Sequence, residues 1–403
     1  MLKSVVVGGL AALALVLVPA GVATPPGQQN AGPIERYVVH GVYTREQRSQ
    51  LVATGYDIGE AAWADHVELY GTQAQARALS LAGFRLTPKS TDEFPPGDEG
   101  YHTYAEMVTD LQQLAAAHPS TVHLISLGQS YEGRDLIGVR IADDTTDNLS
   151  EPGVLFVGQH HAREHLTPEV VLSIAHLFAG SSKVTIGNLV HKRQIYIFPS
   201  LNPDGAEYDI AGGSYHFWRK NRQPYQGIYG TDNNRNYSYN WGCCGGSDGD
   251  PNGETFRGPS PFSAPENQRL RDFVIAHPNV MTAISFHTYS ALVLYPYGYT
   301  YEDEPPDMTH TDHLTFMAIG AEMERTTGYP AVQSSDLYIT DGDFDDWMYG
   351  AMHRYPITIE MSGGTFYPPD EFIAGEARRN WDAALFAARI ADCPTRIVGV
   401  DCS

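Results

Sequence analysis

Three short apolar runs in this chain each lead to a residue able to hold a metal ion or move a proton. Residues 154–157 run into Gln159-His160-His161-Ala162-Arg163-Glu164-His165, residues 282–286 into His287, and residues 357–359 into Glu360. β-branched runs of this length, alternating with helical stretches, describe an α/β domain with a partly parallel sheet. Further strands are expected at 122–127, 136–141 and 195–198. In open α/β sheets ligands gather at the carboxyl ends of strands, which is where His161, His287 and Glu360 fall.

Zinc accepts imidazole nitrogen and carboxylate oxygen, and a hydrolytic zinc keeps three protein ligands plus a water. Read literally, His161-x-x-Glu164-His165 also fits the H-x-x-E-H signature, in which both histidines bind metal and the glutamate is the base. Two histidines four apart share a metal only on a helix. Here Thr167-Pro168-Glu169 reads as N-cap, N1 and N2 of a helix that begins after the motif, continued by Val170, Val171, Ile174, Leu177 and Phe178. The motif therefore sits on a strand-to-helix turn. That favours His161 and Glu164 as ligands, leaves His160 and His165 as neighbours, and requires a third ligand from another strand, for which His287 is available.

The two ends of the chain place this chemistry. Residues 1–23 join Lys3, an uncharged apolar run at 5–18 and small residues at 20–23, the pattern of a secretory signal peptide. The run is shorter than the roughly 20 residues of a spanning helix, and no later stretch is long enough either. Residues 24–95 carry an extended run at 36–43, helix-like stretches at 45–54 and 73–82, and a polar, Pro-rich linker at 87–98. They read as a small α+β propeptide module, with a permanent accessory domain as the alternative, ahead of a catalytic domain at 96–403. Lys plus Arg number 26 against 48 Asp plus Glu, a net charge of -22, which argues against nucleic acid as a partner. Cys243, Cys244, Cys393 and Cys402 permit three disulfide pairings in an exported protein, and the sequence does not choose among them. A structural zinc on all four is disfavoured, because adjacent Cys243-Cys244 lacks the gap such pairs show.

The whole set of motifs is more specific than any one of them: His161, Arg163 and Glu164; Asn202-Pro203-Asp204-Gly205; Trp218-Arg219-Lys220-Asn221-Arg222; Asn234-Arg235-Asn236; His287-Thr288-Tyr289; and Thr358-Ile359-Glu360. In this order they resemble the zinc metallocarboxypeptidases of the carboxypeptidase A and B type over roughly residues 100–390. Residues 225–230, 241–246 and 336–343 are similar to the bacterial carboxypeptidase T branch. The resemblance implies a mixed parallel/antiparallel central sheet flanked by helices, and one Zn²⁺ on His161, Glu164 and His287. It further implies that Glu360 is the general base, that Arg222 stabilises the oxyanion, and that Arg163 orients the substrate. Asn234 and Arg235 would clamp the terminal carboxylate, and Tyr338 would close over the substrate. Asp345 falls where B-type enzymes carry the acid that pairs with Lys or Arg, and Asp343 is a second candidate for that pocket.

The implied protein is a secreted, monomeric exopeptidase, made as a zymogen and acting on peptide or protein C-termini that end in basic, or in both basic and hydrophobic, residues. It has no membrane association after signal cleavage. A cell-wall peptide hydrolase on the same fold and an inactive peptide-binding module are the alternatives. The resembling bacterial enzymes bind structural Ca²⁺, so Asp143, Asp144, Asp147 and Glu151 are either a calcium cluster or an ordinary solvated loop. Residues 248–253 imitate the start of a calcium loop, but Pro259 occupies the position that needs a bidentate glutamate, so they are not an EF-hand.

Overall fold

The computed structural model describes residues 34–42, 47, 51, 57–58, 66–89, 94–95, 97–225 and 227–402. The expected signal peptide and most of the helix-like stretch at 45–54 lie outside them. The chain divides into two compact units, residues 1–91 and 92–403.

In the first unit, strands β1 (Ile34–His40), β2 (Asp57–Ile58), β3 (His66–Thr72) and β4 (Arg85–Lys89) form an antiparallel sheet in the order β2-β3-β1-β4. Helix α1 (Gln73–Leu81) contributes Ala76 and Leu79 to a core with Tyr37, Val39, Leu51 and Leu69. The linker expected from residue 87 thus begins later, because Thr87, Pro88 and Lys89 pair with β1. Pro88 falls on β4 at the sheet edge, where proline is tolerated because alternate N–H groups of an edge strand face away from the ladder.

The second unit is built, in chain order, from α2 (Tyr104–Ala117), β5 (Val122–Gln129), β6 (Asp135–Ile141), β7 (Gly153–Val157), α3 (Leu166–Gly180), α4 (Val184–Val190), β8 (Gln194–Phe198), α5 (Pro203–Asp209) and α6 (Pro265–Ala276). It continues with β9 (Val280–Thr288), β10 (Leu292–Tyr295), α7 (His310–Thr327), β11 (Ala331–Gln333), α8 (Phe344–Gly350), β12 (Tyr355–Met361) and α9 (Ile373–Ile390). Among the described residues its sheet has eight strands in the order β11-β10-β12-β9-β7-β8-β6-β5. β12, β9, β7 and β8 run parallel, β5 and β6 pair antiparallel with their neighbours, and β10 runs antiparallel to β12 but parallel to the edge strand β11. The mixed sheet flanked by helices is thus present, and each of the strands expected in this unit belongs to it.

Both faces of the centre are covered, which is why β7 reads as a continuous apolar run and not as an alternation. Val154 and Phe156 pack into the layer that holds Ile174 of α3 and Ala384 of α9. Leu155 and Val157 face the opposite layer, with Leu270 and Val274 of α6 and Trp347 of α8. Truncating a fully buried ring such as Phe156 to alanine would cost about 3–5 kcal/mol. Among the described residues no single helix is long and apolar enough to cross a membrane. Cys243 pairs with Cys244, and Cys393 with Cys402, tying down the C-terminal tail.

Helix α3 begins at Leu166, earlier than the expected N-cap at Thr167. Thr167 instead braces the turn: its hydroxyl donates to the Glu164 carbonyl at 2.8 Å and accepts the Gln159 N–H at 2.8 Å. Pro168 lies in the first turn, where no intrahelical donor is needed.

Candidate active site

The site starts from close backbone approaches. A Cβ at Gly158 would stand 2.4 Å from the Pro199 carbonyl, so the chain leaving β7 can turn there only with glycine. Asn202 then ties the turn to the 218–222 segment, donating from Nδ2 to the carbonyls of His160 and Lys220, both at 3.2 Å. A Cβ at Gly205 would meet the Lys220 carbonyl at 2.6 Å, which accounts for the glycine of the Asn202-Pro203-Asp204-Gly205 motif.

Three donors converge above the strand ends. His161 Nδ1 lies 2.7 Å from Glu164 Oε1, His287 Nδ1 lies 3.0 Å from Glu164 Oε2, and the two Nδ1 atoms are 3.2 Å apart. All three residues are buried, and their ligand atoms lie within 4.8 Å of one another, so the group can hold a metal ion. Two imidazoles and a carboxylate suit zinc. The remaining nitrogen of His161, Nε2, faces Asp232 Oδ1 at 3.2 Å, the carboxylate partner that fixes a metal-bound imidazole's tautomer and orientation. Burial alone would raise the Glu164 carboxyl, but the neighbouring His161 and His287 hold it well below the usual carboxylate range.

The other two histidines of the motif turn away from this cluster. His160 Nε2 lies 2.9 Å from the Tyr237 hydroxyl and its Nδ1 3.1 Å from Ser285 Oγ, whereas His165 Nε2 lies 2.9 Å from Asp209 Oδ2. An H-x-x-E-H metal site would need His165 beside His161, and the backbone sends it to the opposite side of the turn.

β9 and β12 are in register with His287 opposite Glu360, so neighbouring parallel strands bring the imidazole and the carboxyl side by side. Burial, and then the Glu164 charge, push the Glu360 carboxyl up to about 8, against the lowering influence of Arg219 and Arg235. A carboxyl with this pKa is poised to exchange protons near neutrality.

Arg222 is not at this cluster, which corrects the oxyanion assignment. Its guanidinium is boxed by aromatic rings, 3.6 Å from the centre of Tyr208, 4.6 Å from Tyr229 and 4.8 Å from Trp218, with Glu132 at 3.8 Å. Arg219, three residues earlier in the same motif, is close enough to Glu164 and Glu360 for its charge to act on both. Its Nε and Nη2 lie 2.9 and 2.8 Å from Asp232 Oδ2, and neither bond uses Nη1.

The cleft beside the cluster is open to solvent and is lined by His161, Glu360, Asn234, Arg235, Tyr338 and Asp345, among others. Arg235 is held at Nε by the Gly246 carbonyl at 2.9 Å and at Nη1 by the Asn234 carbonyl at 2.7 Å. Asn234 Oδ1 accepts the Phe344 N–H at 2.9 Å. Tyr338, 50% exposed, stands at the mouth. Arg163 lies with its guanidinium 4.1 Å over the Phe366 ring and donates to the Phe217 carbonyl at 3.2 Å.

The acids in and behind the cleft wall, Asp343, Asp345 and Asp346, divide by role. Asp343 caps α8, accepting the Asp346 N–H at 2.8 Å and the Thr340 hydroxyl. Asp346 accepts the N–H groups of Gly298 and Tyr299 at 2.8 and 3.0 Å. Asp345 is 4% exposed, and its Oδ1 has no hydrogen-bond partner among the described residues. Burial and then the Asp343 charge raise its carboxyl well above the usual range. An orphaned buried oxygen in a cleft calls for a cation, a water or a proton.

At the far end of the sheet, Asp143, Asp144 and Glu151 bring carboxylate oxygens within reach of one another. Asp147 turns aside, accepting the Tyr196 hydroxyl at 2.6 Å and facing His277 Nε2 at 2.8 Å.

Residues 107–383 match the family described as zinc carboxypeptidase (Peptidase_M14). The chain is 41% identical over 344 residues to a protein named zinc carboxypeptidase from Saccharothrix mutabilis subsp. capreolus, covering 82% of this chain and 78% of that one. It is 33% identical over 268 residues to carboxypeptidase B of Astacus astacus, covering 65% and 86%. In fold it resembles the crystal structure of carboxypeptidase A from Helicoverpa armigera, with a TM-score of 0.65 at 22% identity, across 89% of this chain and 98% of the other.

Proposed function

Since the chain belongs to the zinc carboxypeptidase family, we propose that it removes residues one at a time from peptide and protein C-termini, with His161, Glu164 and His287 as the zinc ligands and Glu360 as the general base. The observation that carries this reading is the convergence of the three ligand atoms beside Glu360, at the head of a cleft that also contains Arg235. Zinc bound to the three side chains supplies a Lewis acid for the scissile carbonyl and a water of lowered pKa.

The protein's own groups do the rest. Glu360 takes a proton from the attacking water and passes it to the leaving amine. Arg219, oriented by Asp232, directs its guanidinium to the oxygen on which negative charge develops. Arg235 and the Asn234 amide receive the free carboxylate of the substrate, since a planar guanidinium meets a carboxylate with parallel charge-assisted hydrogen bonds. That recognition restricts cleavage to the last peptide bond. Tyr338 closes the mouth over the bound chain, and Arg163 orients the residues upstream of the scissile bond.

The unpartnered Asp345 oxygen supports a preference for Arg or Lys at the C-terminus, within a range that also admits hydrophobic residues. Secretion directed by residues 1–23, latency conferred by residues 24–95 and a monomeric mature form belong to the same proposal. The test is mass spectrometry of a mixed peptide pool incubated with the protein, with and without a chelator. Ladders shortened from the C-terminus, abolished by chelation and restored by zinc, are the expected result. Internal cuts, or ladders that ignore the chelator, would overturn it.

A further inference from the structure

Asp341 lies between two pieces of the cleft without lining it. Its side chain is wholly buried, and among the described residues the hydrogen bonds it accepts come from one turn, residues 242–247. The N–H groups of Gly242 and Cys244 reach it at 3.2 Å and that of Gly246 at 2.9 Å, and the Ser247 hydroxyl donates to it as well. A carboxylate satisfied by three backbone donors and a hydroxyl is a rigid node, because charge-assisted bonds are the strong ones and each donor belongs to a different residue.

The turn held in this way touches the machinery at one atom. The carbonyl of Gly246 accepts the Nε–H of Arg235 at 2.9 Å. The packing around that bond is backbone against backbone. A Cβ at Gly246 would stand 2.4 Å from the Thr340 carbonyl carbon, and one at Gly342, where φ is +66°, would stand 2.8 Å from the Arg235 carbonyl. The Tyr237 N–H donates to the Gly342 carbonyl at 2.8 Å. Residues 340–342 are thus wedged between the Arg235 segment and the 242–247 turn, with Asp341 as the polar link to the turn.

We propose that Asp341 is a positioning residue for the substrate's terminal carboxylate: it holds the 242–247 turn so that the Gly246 carbonyl fixes the plane of the Arg235 guanidinium. This rests on the reading of Arg235 as the carboxylate clamp. Without the node the turn loses four hydrogen bonds, and of the bonds Arg235 makes among the described residues the one to the Asn234 carbonyl is left. The fork then samples orientations that cannot meet a carboxylate with two parallel bonds. The loss falls on substrate binding more than on the chemical step, because His161 and Glu164 on the turn after β7, His287 on β9 and Glu360 on β12 make none of their hydrogen bonds among the described residues to this turn.

The experiment is steady-state kinetics of the full-length protein, processed identically to the parent, on an N-acylated dipeptide. Asp341→Asn should raise KM tenfold or more and change kcat less than about threefold, the signature of lost uniform binding. Ser247→Ala should shift KM in the same direction by less, and it carries the test if Asp341→Asn does not fold. In an Arg235→Ala background Asp341→Asn should add less than a twofold effect, since both changes act through one contact. An unchanged KM in both single variants, or effects that multiply in full, overturns the inference. If Arg235→Ala itself leaves KM unchanged, the clamp reading falls and the inference falls with it; if only the Asp341 and Ser247 variants are silent, the clamp reading stands.

Discussion

Arg219 and Asp232 form a buried ion pair, with Nη2 2.8 Å from Oδ2, and the other oxygen of the same carboxylate faces His161 Nε2 at 3.2 Å. One side chain therefore braces a histidine of the candidate metal cluster and an arginine together. Burial alone would raise the Asp232 carboxyl, but Arg219 and His161 outweigh it and hold it well below the usual range. Arg219→Ala should lower kcat by about 10²- to 10³-fold, the size of effect seen when one oxyanion donor is lost. Because removing one partner of a buried pair also destabilises the fold, Arg219→Lys serves as the control that keeps the charge. Arg222→Ala should leave kcat within about twofold and lower the thermal midpoint instead, since its contacts are aromatic faces worth about 0.5–2 kcal/mol each. Kinetics that reverse this pattern would restore Arg222 to the site.

Glu360→Gln keeps the shape of the side chain and removes its ability to accept a proton. Turnover should fall by about 10²- to 10⁴-fold, while the Kd for an uncleaved peptide, read by calorimetry, should stay within about threefold. Retained hydrolysis removes Glu360 as the base.

Asp345 sets the preference for the last side chain if its unpartnered oxygen meets a cation. Asp345→Asn should reduce kcat/KM on an Arg-ended peptide by about 10- to 100-fold, the worth of a charged hydrogen bond in a buried site. The matched Leu-ended peptide should change little. If the parent already cleaves the Leu peptide tenfold faster than the Arg peptide, the pocket role of Asp345 is wrong.

Glu266 is fully buried, and it accepts the Tyr131 N–H at 3.0 Å and the Asn221 amide at 2.7 Å. Burial pushes its carboxyl up to about 7 from an ordinary 4.5, despite those bonds. A carboxyl raised on folding binds its proton more tightly in the native state, so its contribution to stability is complete below pH 4.5 and is lost as pH rises through about 7. Relative to Glu266→Gln, which does not titrate, the parent should lose up to about 3 kcal/mol over that interval. Urea midpoints from pH 4.5 to 8 check it; parallel curves for the two proteins would reject the assignment.

Much of this protein was legible in one dimension. The strands leading to His161, His287 and Glu360 announce themselves because a strand covered on both faces must be apolar throughout, and the helix signals after residue 165 place the His161–Glu164 pair on a turn. Local chemistry decides such features, and local chemistry is written in neighbouring residues.

Other choices depend on residues far away in sequence. Arg219 and Arg222 stand in the same irregular segment with equal claims, and what separates them is where Asp232 and the rings of Tyr208 and Tyr229 arrive. Asp343 and Asp345 likewise look interchangeable until helix α8 begins at Phe344, making the first a cap and leaving the second with an open oxygen. Pro88 reads as linker until β1 pairs with it. Fold class and family can thus be read along the chain, as can the three residues whose donor atoms converge. Which arginine, which acid and which turn come to lie beside the cleft is a matter of tertiary structure, because a charged side chain is placed by the partners that desolvate and neutralise it, and those partners are brought together only by folding.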